Sequence, residues 1–201
     1  MVMQQATDFL EESRALAGLL AALSDSDFET QTQFKGWTIN NIVRHLHVWN
    51  IAVDLSLQDE AAFGAFVAAM MAGVRGGKLP AFEASYLDGL SGQALLRAWL
   101  ERAEAVAAAF ADADPKLRLK WVGPDMSALS SITARLMETW AHAQAVYDVL
   151  GVARQDTDRI GNIVRLGVNT WGFTWKNRRQ DPPGPMPQVH LTAPSGAIWE
   201  Y

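Results

Sequence analysis

Two histidines and one carboxylate have types and spacing that could do chemistry in this sequence: His45, and the pair Glu138 and His142. His142 follows Glu138 by four positions, so on a helix the two stand about 40° apart, one turn above the other, and can aim two donor atoms at one point. Imidazole nitrogens and a carboxylate oxygen make a borderline-hard donor set that suits a divalent metal, zinc first, with nickel, iron or manganese also served. Three protein ligands leave one coordination position open, which is the arrangement of catalytic rather than structural zinc. The chain has no cysteine, which excludes a thiolate ligand, a cysteine nucleophile and a disulfide framework. Any thiol chemistry must therefore use a thiol from outside. Glu-x-x-x-His is common by chance, and a solvated Glu/His pair on a helix surface is the competing reading.

The elements that must position these side chains are helical. Apolar residues at helical spacing predict a first helix over 3–23, ended by Ser24-Asp25-Ser26-Asp27. Gly36-Trp37-Thr38 is a sharp punctuation with Thr38 as N-cap of a second helix over about 38–58. Its stripe of Ile42, Leu46, Trp49, Val53 and Leu57 puts His45 about 60–80° from the stripe's centre, bordering the core. His47 falls about 120° from that centre, among Asn40, Asn50, Asp54 and Gln58, and is expected to face water. A histidine on the flank of an apolar stripe is by itself an ordinary core residue. It becomes a ligand only with partners.

Those partners come from a helix running from Ser127 or Ser130 to Leu150, with Gly151 where a left-handed C-terminal residue belongs. Ala134, Ala141, Ala145 and Val149 flank the Glu138 and His142 side and leave room for a cavity, although Arg135 and Asp148 border it too. Between the two ligand helices, 60–74 reads as an Ala-rich helix, Gly73, Gly76, Gly77 and Pro80 as a loop, and Ser91 as the cap of a helix ending at Asp114-Pro115. Leu117 to Trp121 is a short extended piece closed by Val122-Gly123-Pro124, and a last helix spans about 157–178. After Asp181-Pro182-Pro183-Gly184-Pro185 the chain changes character, and residues 188–192 and 197–201 around Ala193-Pro194-Ser195-Gly196 read as a β-hairpin. The expected organisation is a helical bundle over 1–180 and a Pro-rich linker with hairpin over 181–201, the latter being where a further domain would begin. A lone hairpin is marginal in water, so it must pack on something.

Bulk composition bounds the function. With 49% apolar and 19% charged residues the chain is ordinary for a globular protein. Its 17 Lys and Arg against 22 Asp and Glu give a net charge of −5 with no basic cluster on any helix, which argues against nucleic acid. The longest apolar stretch, 61–74, is too short to cross a bilayer of ~30 Å, and the N-terminus lacks a basic start followed by an apolar run. A cytoplasmic protein with a small-molecule substrate is expected, with no membrane partner and with a homodimer compatible. Ser130 and Ser131 lack a base at readable spacing, so a serine triad has no support.

The same residues carry a family likeness. Gly36-Trp37-Thr38 followed by Ile42-Val43-Arg44-His45-Leu46 resembles the start of the second helix in DinB/YfiT-like metal-binding bundles. Glu138-Thr139-Trp140-Ala141-His142-Ala143-Gln144, with Asp148 and Gly151 behind it, is similar to the motif of the mycothiol-dependent maleylpyruvate isomerase branch, and Trp121-Val122-Gly123-Pro124-Asp125-Met126-Ser127 resembles the loop before it. The likeness covers about residues 5–180. It implies an all-α fold, a DinB-like four-helix bundle with extra short helices and a C-terminal hairpin, and a metal held by His45, Glu138 and His142. Glu138 stands where other DinB-like members use a third histidine, which places the chain nearer the isomerase branch.

That resemblance implies a metal-dependent enzyme using a low-molecular-weight thiol, as an isomerase of an unsaturated acid or an S-transferase. A metal-assisted hydrolase uses the same ligands, and a non-catalytic stress-response bundle would use the ion only to brace two helices. Trp121, Met126 and Trp140 are candidates for the pocket wall, against the reading that eight tryptophans in a helical bundle mostly serve core packing. Asn162, Arg165, Asn169 and Lys176 share one face of the last helix, and Trp121, Arg165 and Asn169 are the candidates for holding a cofactor or substrate carboxylate, against a plain solvated face.

Overall fold

The structure, a computed structural model, describes residues 2–201. The chain forms two compact units, Met1–Arg154 and Gln155–Tyr201. In the first, the long helices are α1 (Gln4–Leu20), α2 (Ile39–Gln58), α5 (Gly92–Ala111) and α6 (Ala128–Leu150), with α3 (Glu60–Arg75) and α4 (Leu79–Tyr86) between α2 and α5. Helices α1 and α2 each pack against both α5 and α6. Leu16, Leu20, Ile42, Leu46, Leu95, Trp99 and Val146 fill the space between them. This is the all-α fold that the periodicity and the likeness imply.

Local chemistry sets the ends of α2 and α6, the helices that carry the candidate ligands. Thr38 accepts the amide of Asn41 while the Asn41 side chain accepts the amide of Thr38, a reciprocal cap for α2. Ser127 accepts the Ser130 amide at the start of α6, and Gly151, at φ 65°, closes it in the left-handed conformation that side chains resist. The expected extended piece is β1 (Arg118–Leu119), paired antiparallel with β2 (Met126–Ser127), so the intervening loop is pinned at the root of α6. Ser91 does stand at the N-cap of α5, but its side chain makes no capping bond. The free amides of Gly92 and Gln93 go instead to Asn40 and Asp25.

Two expectations about this unit are corrected. Pro80, read as the end of a loop, instead stands in the first turn of α4, where no backbone donor is needed. Gly73 then matters for packing: a Cβ there would sit 2.6 Å from the Phe82 ring, so only glycine lets α4 approach α3 this closely. The second correction concerns α2, which was expected to keep a wet face. Asn40, His47, Asn50 and Asp54 are all buried, because α5 covers the side opposite to α3 and α4 and the helix has no solvent face along that stretch.

The second unit holds α7 (Gly161–Asn169), α8 (Trp171–Asn177) and the antiparallel pair β3 (His190–Thr192) and β4 (Ile198–Glu200). The single helix expected over 157–178 is broken at Thr170, whose hydroxyl turns back to the carbonyl of Gly167. Gly167 and Gly172 flank that break and weaken the helix there. The hairpin is not left alone. Trp199 packs on Gly161, 3.0 Å from where a Cβ would stand, and the Ser195 amide and hydroxyl both bond Asp158. Among the described residues, no helix is long and apolar enough to cross a membrane.

Candidate metal centre

Helix α2 brings His45 to the side of α6 that carries Glu138 and His142. One donor atom from each of the three lies within 4.8 Å of the others. The Glu138 Oε2 atom is 3.3 Å from His142 Nε2 and 3.7 Å from His45 Nε2. Two ligands at ~2.1 Å from a tetrahedral ion stand about 3.4 Å apart. The separations therefore match a divalent ion at the centre after small side-chain adjustments, and the donor set fits the group.

The two histidines of the cluster are held from behind. His45 Nδ1 donates to Glu83 Oε1 at 2.7 Å, and because a carboxylate only accepts, the proton is fixed on Nδ1 and the Nε2 lone pair is turned to the cluster. Glu83 is fully buried on α4, and the Trp49 indole donates to the same oxygen at 3.1 Å. His142 is steadied by the loop before α2, in which Thr32 bonds the carbonyl of Trp37 through its amide and its hydroxyl. Trp37 then lies parallel to the His142 ring at 5.9 Å and Phe34 meets it edge-on at 5.0 Å.

The electrostatics follow from this crowding. Burial alone would lower the His45 pKa, but the carboxylates of Glu138 and Glu83 outweigh it and raise it above the ordinary histidine value. His142 first and His45 second hold the Glu138 carboxyl far below the usual carboxylate range. Arg135, one turn before Glu138, is pushed down to about 10 by burial, with Glu138 opposing the shift.

A cleft of about 360 Å³ opens beside the cluster, lined by His45, Glu138, Arg135, Trp49, Trp121 and Met126 among others. Trp121 stacks on Phe63 with centroids 5.9 Å apart, which fixes its ring as one wall. Trp121 and Met126 are thus where the sequence placed them. Trp140 instead lies under the Arg154 guanidinium, 5.0 Å from its ring centre, and is not among the residues that line this cleft. Arg165 and Asn169 belong to α7 of the second unit and are exposed there, with the Arg165 guanidinium 5.9 Å from the Tyr201 ring.

Sequence reasoning missed Glu83 and left Arg135 on the border. For Glu83 the signal was the face shared by Leu79, Phe82, Glu83 and Tyr86 at helical spacing, hidden by the glycines and proline around it.

Comparisons with known proteins agree with this architecture. The model of the mycothiol maleylpyruvate isomerase N-terminal domain family matches residues 9–147. Two uncharacterized proteins, from two strains of Mycobacterium tuberculosis, are each 37% identical over 196 residues, which is 96% of this chain and 75% of theirs. The crystal structure of a mycothiol-dependent maleylpyruvate isomerase matches with a TM-score of 0.61 at 16% identity, over 97% of this chain and 78% of that one. A histidine-to-alanine mutant of that isomerase matches with a TM-score of 0.62 at the same identity and coverage.

Proposed function

Because the chain belongs to the mycothiol maleylpyruvate isomerase N-terminal domain family, we propose that it is a divalent-metal enzyme that uses a low-molecular-weight thiol to isomerise or conjugate a small unsaturated acid. The observation that carries this reading is the convergence of His45, Glu138 and His142, two of which, His45 and Glu138, line a cleft. A bound divalent ion, zinc by the donor set, with nickel, iron or manganese as alternatives, would supply Lewis acidity and favour the thiolate of a thiol placed beside it.

The chain's own residues do the rest. His45, Glu138 and His142 would hold the ion, and Glu138, whose side chain is 32% exposed, borders the cleft. Glu83 holds the proton of the neutral His45 ring on Nδ1, which leaves the Nε2 lone pair directed at the other two side chains. Trp49, Trp121, Val122 and Met126 give the cleft a largely apolar wall. The nucleophile must come with the co-substrate, mycothiol being the thiol of the family name, since the chain has no cysteine. When bound, such a thiol would supply a thiolate that adds reversibly to the β-carbon of the conjugated acid with the π pair moving onto the carbonyl, so that rotation about the former C–C double bond and loss of the same thiolate would give the other geometry with no net redox change.

The test is in two parts. Protein purified without added ions should carry stoichiometric divalent metal, and His142→Ala should lose it. Maleylpyruvate isomerisation by the metal-loaded protein should depend on added thiol. Equal metal in both proteins overturns the site. Metal without any thiol-dependent turnover overturns the reaction and leaves hydrolysis or a bracing role for the ion.

A further inference from the structure

Arg135 is 4% exposed, yet it lines the cleft. Its Nε and Nη1 atoms are buried with no hydrogen-bond partner. The nearest carboxylate oxygen, Glu138 Oε2, is 4.0 Å from Nη2, outside hydrogen-bond reach, and faces both imidazoles. The guanidinium lies 6.0 Å from the Trp121 ring, a contact that orients it without supplying an acceptor. A buried cation lacking an acceptor is costly unless an anion completes it.

Charge at the site points the same way. With a divalent ion among its three ligands and neutral imidazoles, the carboxylates of Glu138 and Glu83 cancel the ion, and Arg135 remains as one uncompensated positive charge on the wall. A guanidinium's planar fork matches a carboxylate in shape and donor count. We propose that Arg135 anchors a carboxylate group of the molecule bound in this cleft, so that the site selects carboxylic acids and orients them between Trp121 and Glu138. The inference deepens the reading of the cleft as a catalytic site and rests on it.

The test compares the full chain with Arg135→Met and Arg135→Lys, zinc-loaded and metal-free, using calorimetry and the fluorescence of the wall tryptophans. Maleate should bind the parent and lose roughly 10–100-fold in affinity in Arg135→Met, with Arg135→Lys in between. The uncharged dimethyl maleate should bind weakly and equally to all three. Zinc content should stay unchanged in Arg135→Met and its Tm should stay level or rise, whereas a structural arginine would lower it. N-acetylcysteine and N-acetylcysteamine, which differ by one carboxylate, separate the sources. An Arg135-dependent gap between these thiols assigns the anchored group to the thiol, and a loss confined to maleate assigns it to the acid. If Arg135→Met binds maleate and N-acetylcysteine as the parent does, the proposal is overturned. Failure of the catalytic reading shows elsewhere, in the parent, as missing zinc or missing thiol-dependent turnover.

Discussion

His45 and His47 stand two residues apart on one helix and both are buried, yet their surroundings shift their proton affinities in opposite directions. His45 is met by two carboxylates, Glu83 at Nδ1 and Glu138 near Nε2, and its pKa rises despite burial. His47, on the flank that α5 covers, has a buried Nδ1 with no partner, and burial with the nearby Arg102 charge pushes it down to about 4. Burial is common to both, so burial does not by itself bring a histidine into the cluster. What separates them is the acid that a neighbouring helix delivers.

The hardest blow to that contrast is to remove each ring in turn. His45→Ala should weaken divalent-metal binding by more than the roughly 10–100-fold that outer-shell changes cost, and His47→Ala should leave it unchanged, as read by chelator competition. Equal losses from both would mean the cluster is a packing effect of α2 as a whole. Glu83→Gln is a finer cut. It keeps the shape of the acid and removes its charge, so metal affinity should fall by about 10–100-fold with the fold intact by circular dichroism. An unchanged affinity would show that Glu83 orients nothing.

The contrast also shows how far sequence alone reaches. The meeting of His45 with Glu138 and His142 was legible, because helical periodicity and the caps at Thr38, Ser127 and Gly151 are local signals that hold wherever the helices pack. The burial of His47, Asn40 and Asn50 was not, because it depends on which side α5 takes, a contact between segments some fifty residues apart. Glu83 was hidden for the same reason: α4 is short, begins with proline and owes its place to Phe82 fitting over Gly73. In the tail, the strands and their turn were plain from alternation and Pro-Ser-Gly, but the break at Thr170 was not, since single glycines are tolerated in helices. Periodicity does not say which compact unit a helix joins either, and the second unit begins at Gln155.

Titration sharpens the pair further. The folded-state pKa of His47 lies below its ordinary value near 6.5, so the proton is disfavoured in the folded protein and stability is lost as pH falls from about 6.5 toward 4. His47→Leu abolishes this. Between pH 7 and pH 4.5 the parent should lose about 2 kcal/mol more than the variant in urea denaturation, carboxylates common to both cancelling in the difference. Matching pH profiles would place His47 in contact with water after all.

The smallest effect comes from the support that both histidines share. Thr38→Ala removes the reciprocal cap with Asn41 and should cost about 1 kcal/mol of stability, read as a lower urea midpoint at unchanged m. Metal affinity should hold, because His45 lies nearly two turns into α2 and is fixed by Glu83 and Trp37 rather than by the helix end. If affinity falls along with stability, the first turn of α2 is part of what positions His45. The difference between the two histidines would then begin at the cap instead of at the acid on α4.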